Sequence, residues 1–87
     1  MQYKIIYTNQ ALKDLKKVKY SPFYEKVQQL LSILRDNPFQ NPPEYKELSG
    51  DLAGYFSRRI NFQHRLVYQV YEMECTVKII RMWSHYE

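Results

Sequence analysis

The chain has 87 residues, of which 45% are hydrophobic and 2 are glycine, and its formal net charge is +4. A chain of this length builds one modest core, so we expect a single domain over residues 1–87. The lone cysteine, Cys75, excludes an intramolecular disulfide and a cysteine-based zinc site. The chain shows neither a signal-peptide pattern nor the roughly 18 apolar residues of a membrane helix, so we expect a cytoplasmic protein without membrane contact.

The first half of the chain predicts one strand and two helices. Residues 2–7 are aromatic and β-branched, as is typical of a strand. Over residues 9–19, apolar side chains recur at three- and four-residue spacing with lysines between them, which predicts a first helix. The Ser-Pro pair 21–22 predicts the start of a second helix, whose apolar stripe runs to about residue 35. The Asn-Pro pair 37–38 ends it.

The second half predicts a loop followed by three strands. Residues 37–54 hold three of the four prolines and both glycines, which indicates a long surface loop. Residues 55–60, 65–71 and 76–83 have the composition of consecutive strands joined by short turns. The expected fold class is therefore α+β in the order β-α-α-β-β-β. We expect an antiparallel-rich sheet with the two-helix hairpin packed on one face.

Positive charge recurs within the predicted strands. Because side chains alternate across a sheet, Arg59, Arg65 and Arg81 can collect with His85 on the face that the helices leave open. Guanidinium groups hold phosphate oxygens, and an imidazole exchanges a proton near neutral pH. Metal-free RNA cleavage needs a base, a cation and an acid, which such a face can supply. A merely solvated face explains the same pattern from spacing alone.

Two stretches carry a more specific signal. The segment LSGDLAGYFSRRINFQHRLVYQVY, at residues 48–71, and the ending MWSHYE, at residues 82–87, resemble the YoeB/Txe family of type II toxin–antitoxin toxins in the RelE-like superfamily. The resemblance implies a RelE-like fold. It also implies an endoribonuclease, an mRNA interferase, that cuts mRNA in the A site of the 70S ribosome. We therefore expect no metal and no cofactor.

The resemblance also implies partners and roles. A YefM-like antitoxin would neutralise the toxin, operator DNA would be bound only through the antitoxin complex, and the toxin would form a homodimer. Arg65 would stabilise the transition-state phosphate and His85 would be the general acid. Tyr86 would position the RNA. Further RNA or phosphate contacts are expected from Arg59, Arg58, Arg81 and Lys46.

The general base is where the chain departs from the family pattern. Family members commonly carry glutamate two positions before the leucine found here as Leu48, and this chain has Lys46 there, followed by Glu47. We expect Glu47 to be the catalytic base. Lys46 and Glu44 are the alternatives within the same loop.

Two other functions are compatible with the sequence. The first is a toxin of the same fold that inhibits DNA gyrase, like ParE relatives, and has no nuclease activity. The second is a non-catalytic RNA-binding module, which the many tyrosines of the chain permit.

Overall fold

The computed structural model describes residues 2–84, with the backbone alone for residues 83 and 84. Within this range, a 3₁₀ helix at Gly50–Leu52 accompanies two helices and five strands. In chain order these are β1 Lys4–Tyr7, α1 Asn9–Lys19, α2 Tyr24–Asp36, β2 Tyr45–Glu47, β3 Phe56–Arg59, β4 Arg65–Tyr71 and β5 Thr76–Ser84. Neither of these helices is long and apolar enough to cross a bilayer.

The strands form one mixed sheet in the order β1-β5-β4-β3-β2. β1 runs parallel to β5, whereas the other neighbouring pairs are antiparallel. The predicted α+β class and antiparallel-rich sheet are therefore confirmed. β2 was not predicted, because only three residues of the long loop pair with β3.

The helices bury one face of the sheet. The core side of α2 consists of four aliphatic residues at helical spacing, Val27, Leu30, Leu31 and Leu34. They pack in one cluster with residues of both central strands, including Leu66 and Ile79. All of these side chains are almost fully buried. This packing stabilises the sheet as a platform and leaves its other face to carry polar residues.

The start of α1 is tied to β5 by Thr8. Its hydroxyl oxygen accepts a hydrogen bond from the Ala11 amide at 3.0 Å, which caps the helix. The same hydroxyl donates to the Ile80 carbonyl at 2.8 Å. The predicted cap of the second helix differs, because Ser21 accepts from the Phe23 amide in the preceding turn and α2 begins at Tyr24.

A buried carboxylate joins α1 to β5. Asp14 is 1% exposed and accepts hydrogen bonds from the Arg81 Nε at 2.8 Å and from the Met82 amide at 3.1 Å. Gln10 donates to the same carboxylate at 3.3 Å. Burying a charge is costly unless it is paired and hydrogen-bonded, and Asp14 meets that condition with partners from the strand and its own helix.

We expect Asp14→Ala to lower the free energy of unfolding by about 3 kcal/mol, because it removes the acceptor shared by Arg81 and the buried Met82 amide. Urea unfolding followed by circular dichroism measures this loss. The exposed acid Glu74 is the control, and Glu74→Ala should change stability by less than about 0.5 kcal/mol. Equal losses in the two variants would show that the buried carboxylate has no special role.

Candidate active site

Two arginines face each other across β3 and β4. Arg59 and Arg65 are directly opposed in the antiparallel register, so their side chains lie on the same face. The Arg65 Nε donates to the Oγ of the buried Ser57 at 2.8 Å, and this hydrogen bond fixes the guanidinium at its Nε end. Like charges directly opposite one another are unfavourable in a sheet. The pair therefore concentrates positive charge at one point of the β3–β4 ladder, and an anion bound between the two guanidinium groups would be stabilised.

The register of β2 brings a lysine to this face. Lys46 is opposed by Ser57, and Ser57 is opposed by Val67 on the next strand. Because opposed residues share a face and neighbours along a strand alternate, Lys46 lies on the same side as Arg59 and Arg65. We name this side, with Lys46, Ser57, Arg59 and Arg65, the cationic face.

Glu47 lies on the other side of the sheet. It is opposed by Phe56, which is opposed in turn by Tyr68 of the core. The side chain of Glu47 thus alternates away from Arg65. The register therefore places Glu47 and Arg65 on opposite faces, because one residue along a strand changes the face. The role of Glu47 as general base stays a prediction.

A cleft of about 480 Å³ adjoins the two arginines. Its walls come from the loop before β2, the turn between β3 and β4, and α2, which contributes Lys26. Glu44 lines this cleft together with Arg59 and Arg65. Of the three loop residues considered as bases, Glu44 shares the cleft with the arginines, Lys46 shares their face, and Glu47 shares neither.

Arg58 is buried beneath the loop. Its side chain is 0% exposed, and its guanidinium donates to the carbonyls of Pro43 at 2.6 Å and of Pro38 and Gln40 at 2.9 Å. The Nε donates to the Tyr68 hydroxyl at 3.1 Å. These donors hold the loop, although Arg58 also lines the cleft, and its contact to RNA stays a prediction. The neighbouring Arg59 alone reaches the surface.

Aromatic rings surround the buried guanidinium. The Arg58 Cζ lies 4.9 Å from the centre of the Tyr45 ring and 6.0 Å from that of Tyr68, distances typical of cation–π contacts. Phe56 packs edge to face against Phe39 and Tyr45, and the rings of Phe39 and Tyr45 are tilted against each other. Burial raises the pKa of the Tyr68 hydroxyl, although Arg58 acts in the opposite direction. Tyr68 thus stays protonated and donates to the Pro38 carbonyl at 3.1 Å.

Arg81 does not line the cleft with Arg59 and Arg65, and its contact to RNA stays a prediction. Its guanidinium is bound to Asp14 of α1, and its side chain is 31% exposed. A register shift between β4 and β5 lies at this position, since Val67 pairs with Arg81 whereas Tyr68 pairs with Ile79. Such a bulge breaks the simple alternation from which the prediction was made. Arg81 thus serves the junction between helix and sheet.

The end of β5 approaches Arg65. Ser84 is paired with Arg65 in the register of β4 and β5. The predicted acid His85 and the predicted RNA contact Tyr86 follow Ser84 directly in sequence and lie outside the described residues. Their roles stay predictions.

Comparisons with known proteins agree with this architecture. The family model for the YoeB-like toxin of bacterial type II toxin–antitoxin systems matches residues 7–86. Toxin YoeB of Mycobacterium bovis is 36% identical over 52 residues, which are 60% of this chain and 61% of that protein. The chain thus matches less than two thirds of that relative's length.

Solved structures are similar over almost the whole chain. A YoeB/ParE toxin from Agrobacterium tumefaciens is 30% identical with a TM-score of 0.87, and the match covers 95% of this chain and 99% of that chain. A YoeB dimer from Staphylococcus aureus is 31% identical with a TM-score of 0.83, and a heterotetrameric YoeB–YefM toxin–antitoxin complex from that species is 32% identical with a TM-score of 0.78. Each of these two matches covers 99% of this chain and 100% of the other.

The fold and the site define a small α+β protein with a concentration of positive charge on one sheet face. The chain belongs to the YoeB-like toxins of bacterial type II toxin–antitoxin systems.

The neighbouring residues Arg58 and Arg59 provide a matched test of burial. We expect Arg58→Lys to lower the free energy of unfolding by about 3 kcal/mol, because an ammonium group cannot reproduce the planar set of donors that reaches the loop carbonyls and Tyr68. Arg59→Lys should change it by less than about 0.5 kcal/mol. Urea unfolding measures the stability of both variants, and limited proteolysis measures how readily the loop before β2 is cleaved. Similar stabilities for the two variants would contradict the anchoring role.

Proposed function

We propose that the chain is a ribosome-dependent mRNA interferase that cuts mRNA in the A site by metal-free acid–base catalysis. The observation that carries this proposal is the opposed pair of Arg59 and Arg65 beside a cleft that Glu44 also lines, with Arg65 held by Ser57. Two guanidinium groups at one point suit a phosphate with developing negative charge. Membership of the YoeB-like family supports the choice of a toxin.

The proposed reaction is an internal displacement at phosphorus. A base takes the proton of the ribose 2′-hydroxyl, and the 2′-oxygen forms a bond to phosphorus while the bond to the 5′-oxygen breaks. Arg65 and Arg59 stabilise the charge that builds up on the phosphate oxygens. An acid then gives a proton to the departing 5′-oxygen. No metal or redox partner is needed to balance these steps.

We assign the base to Glu44 and a phosphate contact to Lys46. A carboxylate is ready to accept a proton, and Glu44 lines the same cleft as both arginines. Lysine in its cationic form serves instead as a point charge for phosphate, and Lys46 shares the arginines' face. This assignment replaces the predicted base Glu47.

The acid and an RNA contact are assigned to the residues that follow β5. His85 is the next residue after Ser84 in the sequence, and Ser84 pairs with Arg65. Arg65 is the residue that we propose to contact the scissile phosphate. An imidazole is the usual group for proton transfer near neutral pH. Tyr86 would position the RNA by stacking.

Primer extension on a defined mRNA in a purified translation system tests the proposal. We expect A-site cuts from the unmodified toxin, and at least a 100-fold slower rate for Arg65→Ala, Glu44→Gln and His85→Ala. Glu47→Gln is the matched control, since it removes a neighbouring carboxylate from the opposite face and should retain activity within about threefold.

Other outcomes would revise or reject these assignments. Full activity in Glu44→Gln with loss in Lys46→Ala would transfer the role of base to Lys46. The absence of cuts from the folded toxin, together with accumulation of DNA gyrase cleavage complexes, would reject the nuclease and favour the gyrase inhibitor. RNA binding without any cut product would favour a binding module.

We further propose that a YefM-like antitoxin silences this toxin and that the toxin forms a homodimer. The support is the YoeB–YefM complex and the YoeB dimer of the similar Staphylococcus aureus protein. An acidic antitoxin segment would neutralise the charge of Arg59 and Arg65 and so occupy the place of RNA phosphate.

Charge reversal at the arginines tests this mode of inhibition. We expect Arg59→Glu with Arg65→Glu to weaken antitoxin binding at least tenfold, because attraction to acidic residues becomes repulsion. Isothermal titration calorimetry measures the dissociation constant. Lys4→Glu is the control, since Lys4 is exposed on the strand at the opposite edge of the sheet. Unchanged affinity in the double variant would place the antitoxin elsewhere.

A further inference from the structure

An exposed phenyl ring stands at the rim of the cleft. Phe62 is 88% exposed in the turn between β3 and β4, and it lines the cleft together with Arg59 and Arg65. A ring with this exposure gains almost nothing from the core, and tight turns normally use small or polar residues. The stability of the fold therefore does not account for a phenylalanine at this position.

The turn that carries the ring is held by hydrogen bonds. The Asn61 side-chain oxygen accepts from the Gln63 amide at 2.7 Å and from the His64 amide at 2.8 Å. The Ile60 amide donates to the His64 carbonyl at 2.9 Å, which closes the turn at its base. Phe62 therefore projects from an ordered turn. Because the backbone of the turn is held, little backbone freedom is lost when a ligand packs against the ring.

The cleft combines two kinds of wall. The arginines offer contacts to an anion, and Phe62 offers a flat apolar surface beside them. Its volume of about 480 Å³ lies within the roughly 300–1,000 Å³ of typical ligand pockets. A nucleotide has this combination of parts, since a phosphate is joined through a sugar to a planar base. Aromatic side chains bind bases of any sequence by stacking.

We propose that Phe62 is an RNA-positioning residue that stacks on a nucleobase flanking the phosphate held by Arg59 and Arg65. This inference rests on the proposed nuclease function and adds a subsite to it. The ring provides an apolar platform at the cleft, and the arginines provide charge. Stacking on one side of the phosphate limits rotation of the RNA and brings the adjacent 2′-hydroxyl into line for attack.

The experiment compares single-turnover cleavage by four variants on purified 70S ribosomes that carry a defined mRNA and an empty A site. We expect Phe62→Ala and Phe62→Leu to lower kcat/KM about tenfold, because both lack the ring. Phe62→Tyr should stay within threefold of the unmodified toxin. Tyr20→Ala is the control, because Tyr20 is 87% exposed and does not line this cleft.

A second measurement asks whether the ring acts through a base. An abasic nucleotide is placed in turn at each position of the A-site codon, and its effect is measured with the unmodified toxin and with Phe62→Ala. If Phe62 stacks on that base, the abasic change should cost about tenfold with the ring present and less than about twofold without it. A structural role of Phe62 would instead give independent, multiplying effects at every position.

The possible failures are distinguishable. If the unmodified toxin cleaves and both Phe62→Ala and Phe62→Leu cleave as fast as it does, the stacking proposal is overturned and the nuclease proposal stays intact. The absence of cleavage by the unmodified toxin would overturn both. Unchanged cleavage with weaker antitoxin binding in Phe62→Ala would assign the ring to a protein contact and overturn stacking. Thermal melting of each variant should match the unmodified toxin, since the ring is exposed.

Discussion

The buried guanidinium of Arg58 is the interaction on which the candidate site depends. It donates to three carbonyls that lie at different points of the loop before β2, and to Tyr68 beneath them. A buried cation without these acceptors would be strongly unfavourable, so the loop must follow a path that presents its carbonyls inward. That path leads to Glu44 at the cleft and then to Lys46 on β2. The buried Arg58 thus positions Glu44 and Lys46 of the candidate site.

The adjacent Arg58 and Arg59 show how a sheet separates two uses of one residue type. Alternation along β3 sends Arg58 beneath the loop and Arg59 to the surface opposite Arg65. The guanidinium of Arg58 donates its hydrogen bonds to backbone carbonyl oxygens of the loop. That of Arg59 keeps its donors in contact with solvent and hence with any anion that arrives. Ser57 is also buried, and its hydroxyl accepts a hydrogen bond from Arg65 while the Arg65 side chain stays partly exposed.

The periodic parts of the fold were predictable from the sequence, and the parts set by tertiary contacts were not. The two α-helices and the four strands other than β2 followed from apolar spacing, strand-like composition and proline positions. β2 was missed because its sequence, Tyr-Lys-Glu, is too short to show a pattern and is stabilised by pairing with β3. The ion pair of Arg81 with Asp14 was missed because the two residues are 67 positions apart in the chain and meet only when α1 packs on β5. Glu47 was preferred to Glu44 because it lies next to the position at which the resemblance expects glutamate, and position in the sequence does not reveal which face a residue reaches.

The position of β5 in the sheet has a consequence for the order in which the molecule can form. β5 follows every other strand along the chain, yet it lies between β1 and β4 and provides the hydrogen-bonding partner of both. While the chain is being synthesised from its N-terminus, β1 therefore has no strand to pair with, and α1 lacks the strand that it contacts most. The cationic face also lacks the strand that brings Ser84 to Arg65. A nascent chain thus completes the candidate site only when β5 has left the ribosome.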